Sequence, residues 1–233
     1  MTDPSQPDNL SVVPAALRAH HTDPAPGMLV LPGGGYRAHA PHESEVVAHW
    51  LSGAGIHAFV LRYPVRSDPT EEPLVPETVE AATAAMAWIR SGAHGLSVSD
   101  RVGVMGFSAG GHLAASLCHA DRLIGASADL LPDFAVLGYP VISLGHQSHP
   151  GSRDRLLGLD ADPAEITRHS IETQVHAATP PTFLWHTAND EGVPVSNSLR
   201  YAQALADQGV PVELHVFPDG LHGLGLAPRD PGP

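Results

Sequence analysis

The stretch Gly106-Phe-Ser-Ala-Gly110 constrains this chain more than any other. It follows a short apolar run that starts at Arg101 and leads into a second, residues 112–118, which reads as a strand turning sharply into a helix. A serine at the tip of such a turn needs residues without side chains two places before and two places after it. A Cβ at either place would collide with the neighbouring strand and helix. Gly106 and Gly110 are those residues. Ser108 Oγ is then expected above the carboxyl end of a sheet, with the Ala109 N–H at a helix N-terminus facing any oxyanion that forms beside it. A bare G-x-S-x-G arises easily by chance in a chain with 23 glycines, so the strand before it and the helix after it carry the weight.

The rest of the chain alternates in the same way. Residues 28–31, 56–63, 134–139, 182–186 and 212–217 read as strands, and residues 43–51, 77–89 and 197–208 carry apolar side chains at helical spacing. Strand and helix in alternation predict an α/β domain with a mainly parallel central sheet flanked by helices. We expect a single domain over residues 1–233. Prolines 4, 7, 14, 24 and 26 make residues 1–26 an irregular arm with at most one edge strand. Residues 141–178 interrupt the rhythm and read as a small lid or pocket-wall insertion, with Leu156, Leu157, Leu159, Ile166 and Ile171 set among charges and histidines.

A net charge of −13, with no lysine among the 12 basic residues, argues against nucleic acid and acidic membranes as partners. No apolar run approaches the roughly 18 to 20 residues of a membrane span. The first residues lack the basic start and apolar stretch of a secretory signal, and Cys118 is the only cysteine, so a cytoplasmic protein without disulfides is expected. The 16 histidines are expected mostly at the surface, because none shows the spacing of a metal site with a nearby acid. No metal or other cofactor is implied. Self-association into a homo-oligomer stays open.

A nucleophilic serine needs a base to take its proton and an acid to hold that base in the right tautomer. Two loops at strand ends offer them. Residues 187–194 contain the adjacent pair Asp190 and Glu191, of which only one can face a histidine if the loop is extended, and the shorter Asp190 is preferred. Residues 218–223 place His222 between small residues. His112, four residues after the serine, is a rival base, but on the elbow helix it is read as structural or pocket-lining. Pro32-Gly-Gly-Gly-Tyr36, directly after a strand, can turn backbone N–H groups inward as the second half of an oxyanion hole. Tyr36 and Phe107 are candidate walls of the acyl pocket.

These motifs occur in order: Pro32-Gly-Gly-Gly-Tyr36, His42-Glu43, Gly106-Phe-Ser-Ala-Gly-Gly-His-Leu113, Pro180-Pro-Thr-Phe-Leu184, Asp190-Glu-Gly-Val-Pro194 and Gly220-Leu-His-Gly223. Together they resemble the acetyl esterase and xylan-esterase-like branch of the α/β-hydrolases, over about residues 28–226. The resemblance implies an α/β-hydrolase fold and a carboxylester hydrolase for short acyl groups, often acetyl groups on sugars, whose partner is a small ester. It implies Ser108 as nucleophile, Asp190 and His222 as the remaining triad members, and Gly34, Gly35 and Ala109 as oxyanion donors. Pro32 stands where hormone-sensitive-lipase relatives carry histidine, which fits the xylan-esterase-like branch. The aspartate expected near Ala81 is missing. Two other readings share parts of this pattern: a serine peptidase of the prolyl-oligopeptidase kind, and a non-catalytic hydrolase fold that binds a ligand.

Overall fold

The structure, a computed structural model, describes residues 6–16, 23–145 and 147–227. Seven strands of the described residues form one sheet: β1 (Leu10–Val13), β2 (Ala25–Leu31), β3 (His57–Leu61), β4 (Val98–Phe107), β5 (Ala135–Gly138), β6 (Thr182–Thr187) and β7 (Val212–Phe217). Their order is β1-β3-β2-β4-β5-β6-β7, with β1 antiparallel to β3 and every other pair parallel. The mainly parallel sheet expected from the alternation is therefore present. Among its described residues the arm contributes one edge strand, β1, and the rest of them have no regular structure before β2. That strand starts at Ala25, earlier than the sequence pattern indicated, because a register shift between Ala25 and Gly27 accommodates Pro26.

Among the described residues seven α-helices accompany the strands: α1 (Glu45–Gly53), α2 (Glu77–Ser91), α3 (Ser108–Leu117), α4 (Ala120–Ile124), α5 (Pro150–Leu157), α6 (Pro163–Arg168) and α7 (Ser196–Asp207). The core on one sheet face is largely aliphatic. It joins Leu29, Leu31, Val104 and Leu137 to Ala82, Ala85 and Met86 of α2, Leu113 and Leu117 of α3, and Tyr201 and Leu205 of α7. At about 1.5–3 kcal/mol for each large apolar side chain removed from water, this layer dominates the packing. Ala82 and Ala85 of α2 are fully buried, so the missing aspartate near Ala81 leaves that helix well seated. The other face gathers Val47, Ala48 and Leu51 of α1 with Met105, Phe107, Tyr139 and Trp185.

The 141–178 segment holds α5 and α6, and three of the five large apolar residues named above turn inward. Leu156, Leu157 and Ile171 join the main core, Ile166 packs against it, and Leu159 is exposed. Among the described residues no helix is long and apolar enough to cross a membrane.

The expectation that most histidines lie at the surface holds with exceptions, since five of the thirteen described histidines are buried. Those five are His57, His112, His119, His169 and His186, whereas His42, His49 and His215 are exposed. A neutral imidazole needs only one donor and one acceptor partner to be satisfied inside a protein. His186 finds both, bonding Ser198 Oγ (2.8 Å) and the Val193 carbonyl (2.9 Å).

The strand order also locates the functional end of the sheet. From β2 the chain steps outward to β3, then returns past β2 to β4 and continues the other way. Loops following β2 and β4 thus diverge, and the carboxyl ends of the strands around that reversal face a crevice.

Candidate active site

Five strand ends supply this crevice. The elbow between β4 and α3 carries Ser108 at φ +51°, a backbone conformation that costs an ordinary residue on the order of 1 kcal/mol and must be held by its surroundings. The packing leaves no alternative. A Cβ on Gly106 would fall 2.3 Å from the Gly110 carbonyl oxygen, and one on Gly110 would fall 2.1 Å from that of Leu31. The strand, the turn and the helix are pressed together because neither glycine has a side chain, as the sequence pattern requires.

His222 arrives from the loop after β7. The Ser108 hydroxyl donates to its Nε2 at 2.7 Å, and its Nδ1 donates to Asp190 Oδ2 at 2.7 Å. Asp190 follows β6 and has a fully buried side chain, while the His222 side chain keeps 27% of its surface. The other Asp190 oxygen accepts the N–H groups of Gly192 and Val193, both at 2.8 Å, which fixes the carboxylate before it meets the histidine. The neighbouring Glu191 is exposed. Of the adjacent pair, Asp190 is the one in contact with His222.

The glycine loop after β2 lies against the elbow. A Cβ on Gly33 would sit 3.0 Å from Ser108 Cβ. Gly34, Gly35 and Tyr36 all have positive φ, and a Cβ on Gly34 would fall 2.1 Å from the Ala38 carbonyl oxygen. Gly33 donates its N–H to Glu43 Oε2 at 2.7 Å. Among the described residues no acceptor takes the N–H of Gly34 or Gly35. Ala109, in the first turn of α3, likewise has no carbonyl four residues behind it within the helix.

Two candidate residues do not stand where the sequence reading put them. Tyr36 and Phe107 have no exposed surface, so neither forms an open wall of the cleft. Tyr36 is turned into the core, where its hydroxyl bonds His112 Nδ1 at 2.9 Å, and burial holds that phenol well above its usual range. Phe107 packs against Tyr139 and Trp185 on the opposite sheet face. Adjacency in sequence to a site residue does not fix side-chain direction, because successive strand side chains point to opposite faces and a positive φ redirects the chain. His112 is structural, as expected. Its second nitrogen bonds the His169 carbonyl at 2.8 Å, and burial lowers its pKa to about 4.

Other residues tie the site together without any assignment from the sequence. Glu43 is a buried carboxylate that accepts from Gly33 N–H through one oxygen and from Tyr139 O–H (2.6 Å) through the other. The Tyr139 hydroxyl accepts the Gly225 N–H at 2.6 Å, and its ring stands edge-on to His222 with centroids 5.1 Å apart. Burial and the Glu43 charge push the Tyr139 phenol far above its ordinary value. The glycine loop, the end of β5 and the His222 loop thus meet at one carboxylate. Gly192 matters sterically, since a Cβ there would lie 2.9 Å from His222 Cγ. Tyr139 had one usable signal, its place at the carboxyl end of a core strand. Glu43 had none beyond its presence in the pattern. Among the described residues, no three His, Cys, Asp or Glu side chains converge as metal ligands.

Residues 77–230 match the model of the prolyl oligopeptidase family, and residues 16–125 match that of the BD-FAE family. The chain is 40% identical over 208 residues to endo-1,4-beta-xylanase B of Butyrivibrio fibrisolvens, a match covering 86% of this chain and 32% of that protein. It is 32% identical over 203 residues to the acetylxylan esterase of Xylanibacter ruminicola, covering 84% and 40%. The chain therefore spans about a third to two fifths of these curated relatives. Among solved structures, the acetyl ester-xyloside bifunctional hydrolase of Caldicellulosiruptor lactoaceticus is 42% identical, with a TM-score of 0.82 over 97% of this chain and 83% of that one. A carboxylesterase from Lactobacillus plantarum is 30% identical, with a TM-score of 0.79 over 96% and 83%.

Proposed function

The chain belongs to the α/β-hydrolases related to the acetylxylan esterases and BD-FAE-like hydrolases, and from that premise we propose that it is a serine carboxylester hydrolase for short acyl esters, acetylated sugars among them. The observation that carries the reading is the unbroken line from Ser108 Oγ through His222 to Asp190, two bonds of 2.7 Å, on a strained elbow. In this reading Ser108 Oγ attacks the ester carbonyl carbon while His222 Nε2 takes its proton. The carbonyl oxygen becomes an oxyanion held by the N–H groups of Gly34, Gly35 and Ala109. His222, now a cation steadied by Asp190, returns the proton to the departing alcohol and leaves an acyl-serine. A water, deprotonated by the same nitrogen, then releases the acid and restores Ser108. Residues 141–178 serve as a lid or a pocket wall of this cleft.

The short acyl preference follows from where that segment's apolar residues go. Leu156, Leu157 and Ile171 are spent on the core, so little apolar wall remains for a long chain. Each methylene that finds such a wall contributes up to about 0.8 kcal/mol, which in a lipase makes activity climb with length. Here kcat/KM for aryl esters should peak between acetyl and butyryl and fall at least roughly tenfold, about 1.4 kcal/mol, by octanoyl. A maximum at octanoyl or beyond would overturn the short-acyl reading. Rapid labelling of Ser108 by a fluorophosphonate separates an enzyme from a ligand-binding fold.

The match to the prolyl oligopeptidase family over residues 77–230 favours a second reading, hydrolysis of an acyl-peptide bond by the same three residues. Parallel assays with aryl acetates, acetylated sugars and N-acyl peptides distinguish the two. Peptide turnover well above ester turnover would select the second.

A further inference from the structure

His149 caps the N-terminus of α5, in the segment between β5 and β6. Its Nδ1 accepts the backbone N–H of Ser152 at 3.2 Å and lies 2.8 Å from Ser152 Oγ. A backbone N–H can only donate, so in the neutral ring Nδ1 carries the lone pair and the proton sits on Nε2. The fold thus fixes the tautomer and leaves one N–H donor at the apex of the ring. Nε2 has no hydrogen-bond partner among the described residues, yet it is not sealed from solvent.

The ring borders the site at the glycine loop. Its Cε1 lies 3.5 Å from the position a Cβ on Gly35 would occupy, which sets it against the glycine loop. The charges of His222 and Asp190 both act on its ionisation. Burial first, then the charges of His222 and Arg155, hold its pKa below the ordinary imidazole value despite the opposing effect of Asp190, so it is neutral near pH 7.

We propose that His149 is a specificity residue, whose Nε2–H donates a hydrogen bond to an oxygen on the alcohol half of the substrate and so favours hydroxyl-bearing alcohols such as sugars over aryl alcohols. This rests on the esterase reading above. In that reading the carbonyl oxygen is served by Gly34, Gly35 and Ala109, and His222 faces the departing oxygen. On the ring beside Gly35, the Nε2–H is assigned to the alcohol beyond the ester bond. A sugar supplies acceptors there; an aryl ring leaves the N–H unpaired in a partly buried place.

The test is the ratio of kcat/KM for a monoacetylated xyloside to that for phenyl acetate. His149→Asn is the decisive variant, because asparagine caps a helix well and preserves the bond to Ser152 N–H, but its amide is too short to reach where Nε2 stands. The ratio should fall about tenfold in His149→Asn, with most of the loss in KM for the xyloside. Ser152→Ala removes only the Oγ contact and keeps both the histidine and the backbone N–H that fixes its tautomer, so it should leave the ratio near the wild-type value; a fall as large as that in His149→Asn would overturn the inference. An unchanged ratio in His149→Asn overturns the inference and assigns His149 to helix capping alone. An equal loss on both substrates overturns it too, and points instead to a general effect on the oxyanion loop. Wild-type protein that hydrolyses phenyl acetate but not the xyloside would overturn the inference while sparing the esterase reading; failure on both acetates would sink the two together.

Discussion

On the cleft side of Ser108, His222 reaches the hydroxyl from a loop 114 residues further along the chain; on the helix side, His112 lies one turn away and reaches nothing but scaffold. His222 keeps about a quarter of its side-chain surface, with Nε2 toward the serine and Nδ1 toward a buried carboxylate. His112 is almost wholly buried, with both nitrogens committed to Tyr36 and the His169 carbonyl, and its pKa is depressed to about 4. A base must reach the proton, accept it near neutral pH and be stabilised once charged. His112 has no carboxylate bonded to it and no free nitrogen. Nearness along the chain therefore counts for less than the partners each ring is given.

The comparison breaks most visibly in kcat. Ser108→Ala or His222→Ala should each lower kcat for an aryl acetate by about 10⁴ to 10⁶, and the double variant should be scarcely worse, because the two act as one unit. Wild-type turnover in His222→Ala would return the role of base to His112. Next in size is the carboxylate. Asp190→Asn should lower kcat by about 10³ to 10⁴, since an amide neither steadies the imidazolium nor enforces the tautomer, whereas Glu191→Gln should change it less than about twofold. The reverse pattern would move the orienting role to Glu191.

The buried side of the comparison is sharpened by acid. Burial holds His112 and His119 down to about 4, so the folded chain leaves them neutral while the unfolded chain protonates imidazoles from about pH 6.5 downward. Their stabilising contribution is complete above about pH 6.5 and declines as pH falls toward about 4. At pH 5 each ring should have cost about 2 kcal/mol of unfolding free energy, at about 1.4 kcal/mol per pH unit below the unfolded value. Urea titrations at pH 7.5 and 5.0 should show the drop, and His119→Gln, which cannot titrate, should lose less between the two. An equal loss in wild type and variant would mean that His119 titrates normally in the fold.

The elbow was legible because it is a steric pattern: two missing side chains around a serine mean the same thing in any surrounding. The strand ends bearing Asp190 and His222 were legible from order, since both loops follow strands that join the sheet next to each other. What stayed hidden depends on partners far apart in sequence. Nothing local distinguishes buried His186 from exposed His215, because their difference lies in Ser198 and the Val193 carbonyl. Tyr36 was placed near the site correctly and given the wrong direction, since its positive φ turns the ring toward His112. Glu43 is the clearest case. At the sequence level it looks like an acidic residue at a helix start, and only the meeting of three loops buries it.

Glu43 also joins the two sides of the comparison, for it is as buried as His112 yet supports the cleft. Its two oxygens receive Gly33 N–H and Tyr139 O–H, and Tyr139 in turn holds Gly225 N–H and packs against the His222 ring. Glu43→Gln keeps the shape but offers one acceptor where two donors converge, so either the loop N–H or the tyrosine hydroxyl meets an NH₂ group. A donor left unsatisfied in this way costs about 1–3 kcal/mol. If the loss falls on the glycine loop and the His222 loop, kcat should drop about tenfold with KM nearly constant, because donors that matter in the transition state are displaced while the cleft keeps its form. If Glu43 serves stability alone, the urea midpoint will fall and kcat at saturating ester will stay at the wild-type value. Measuring both on one preparation assigns the carboxylate either to His222's side of Ser108 or to His112's.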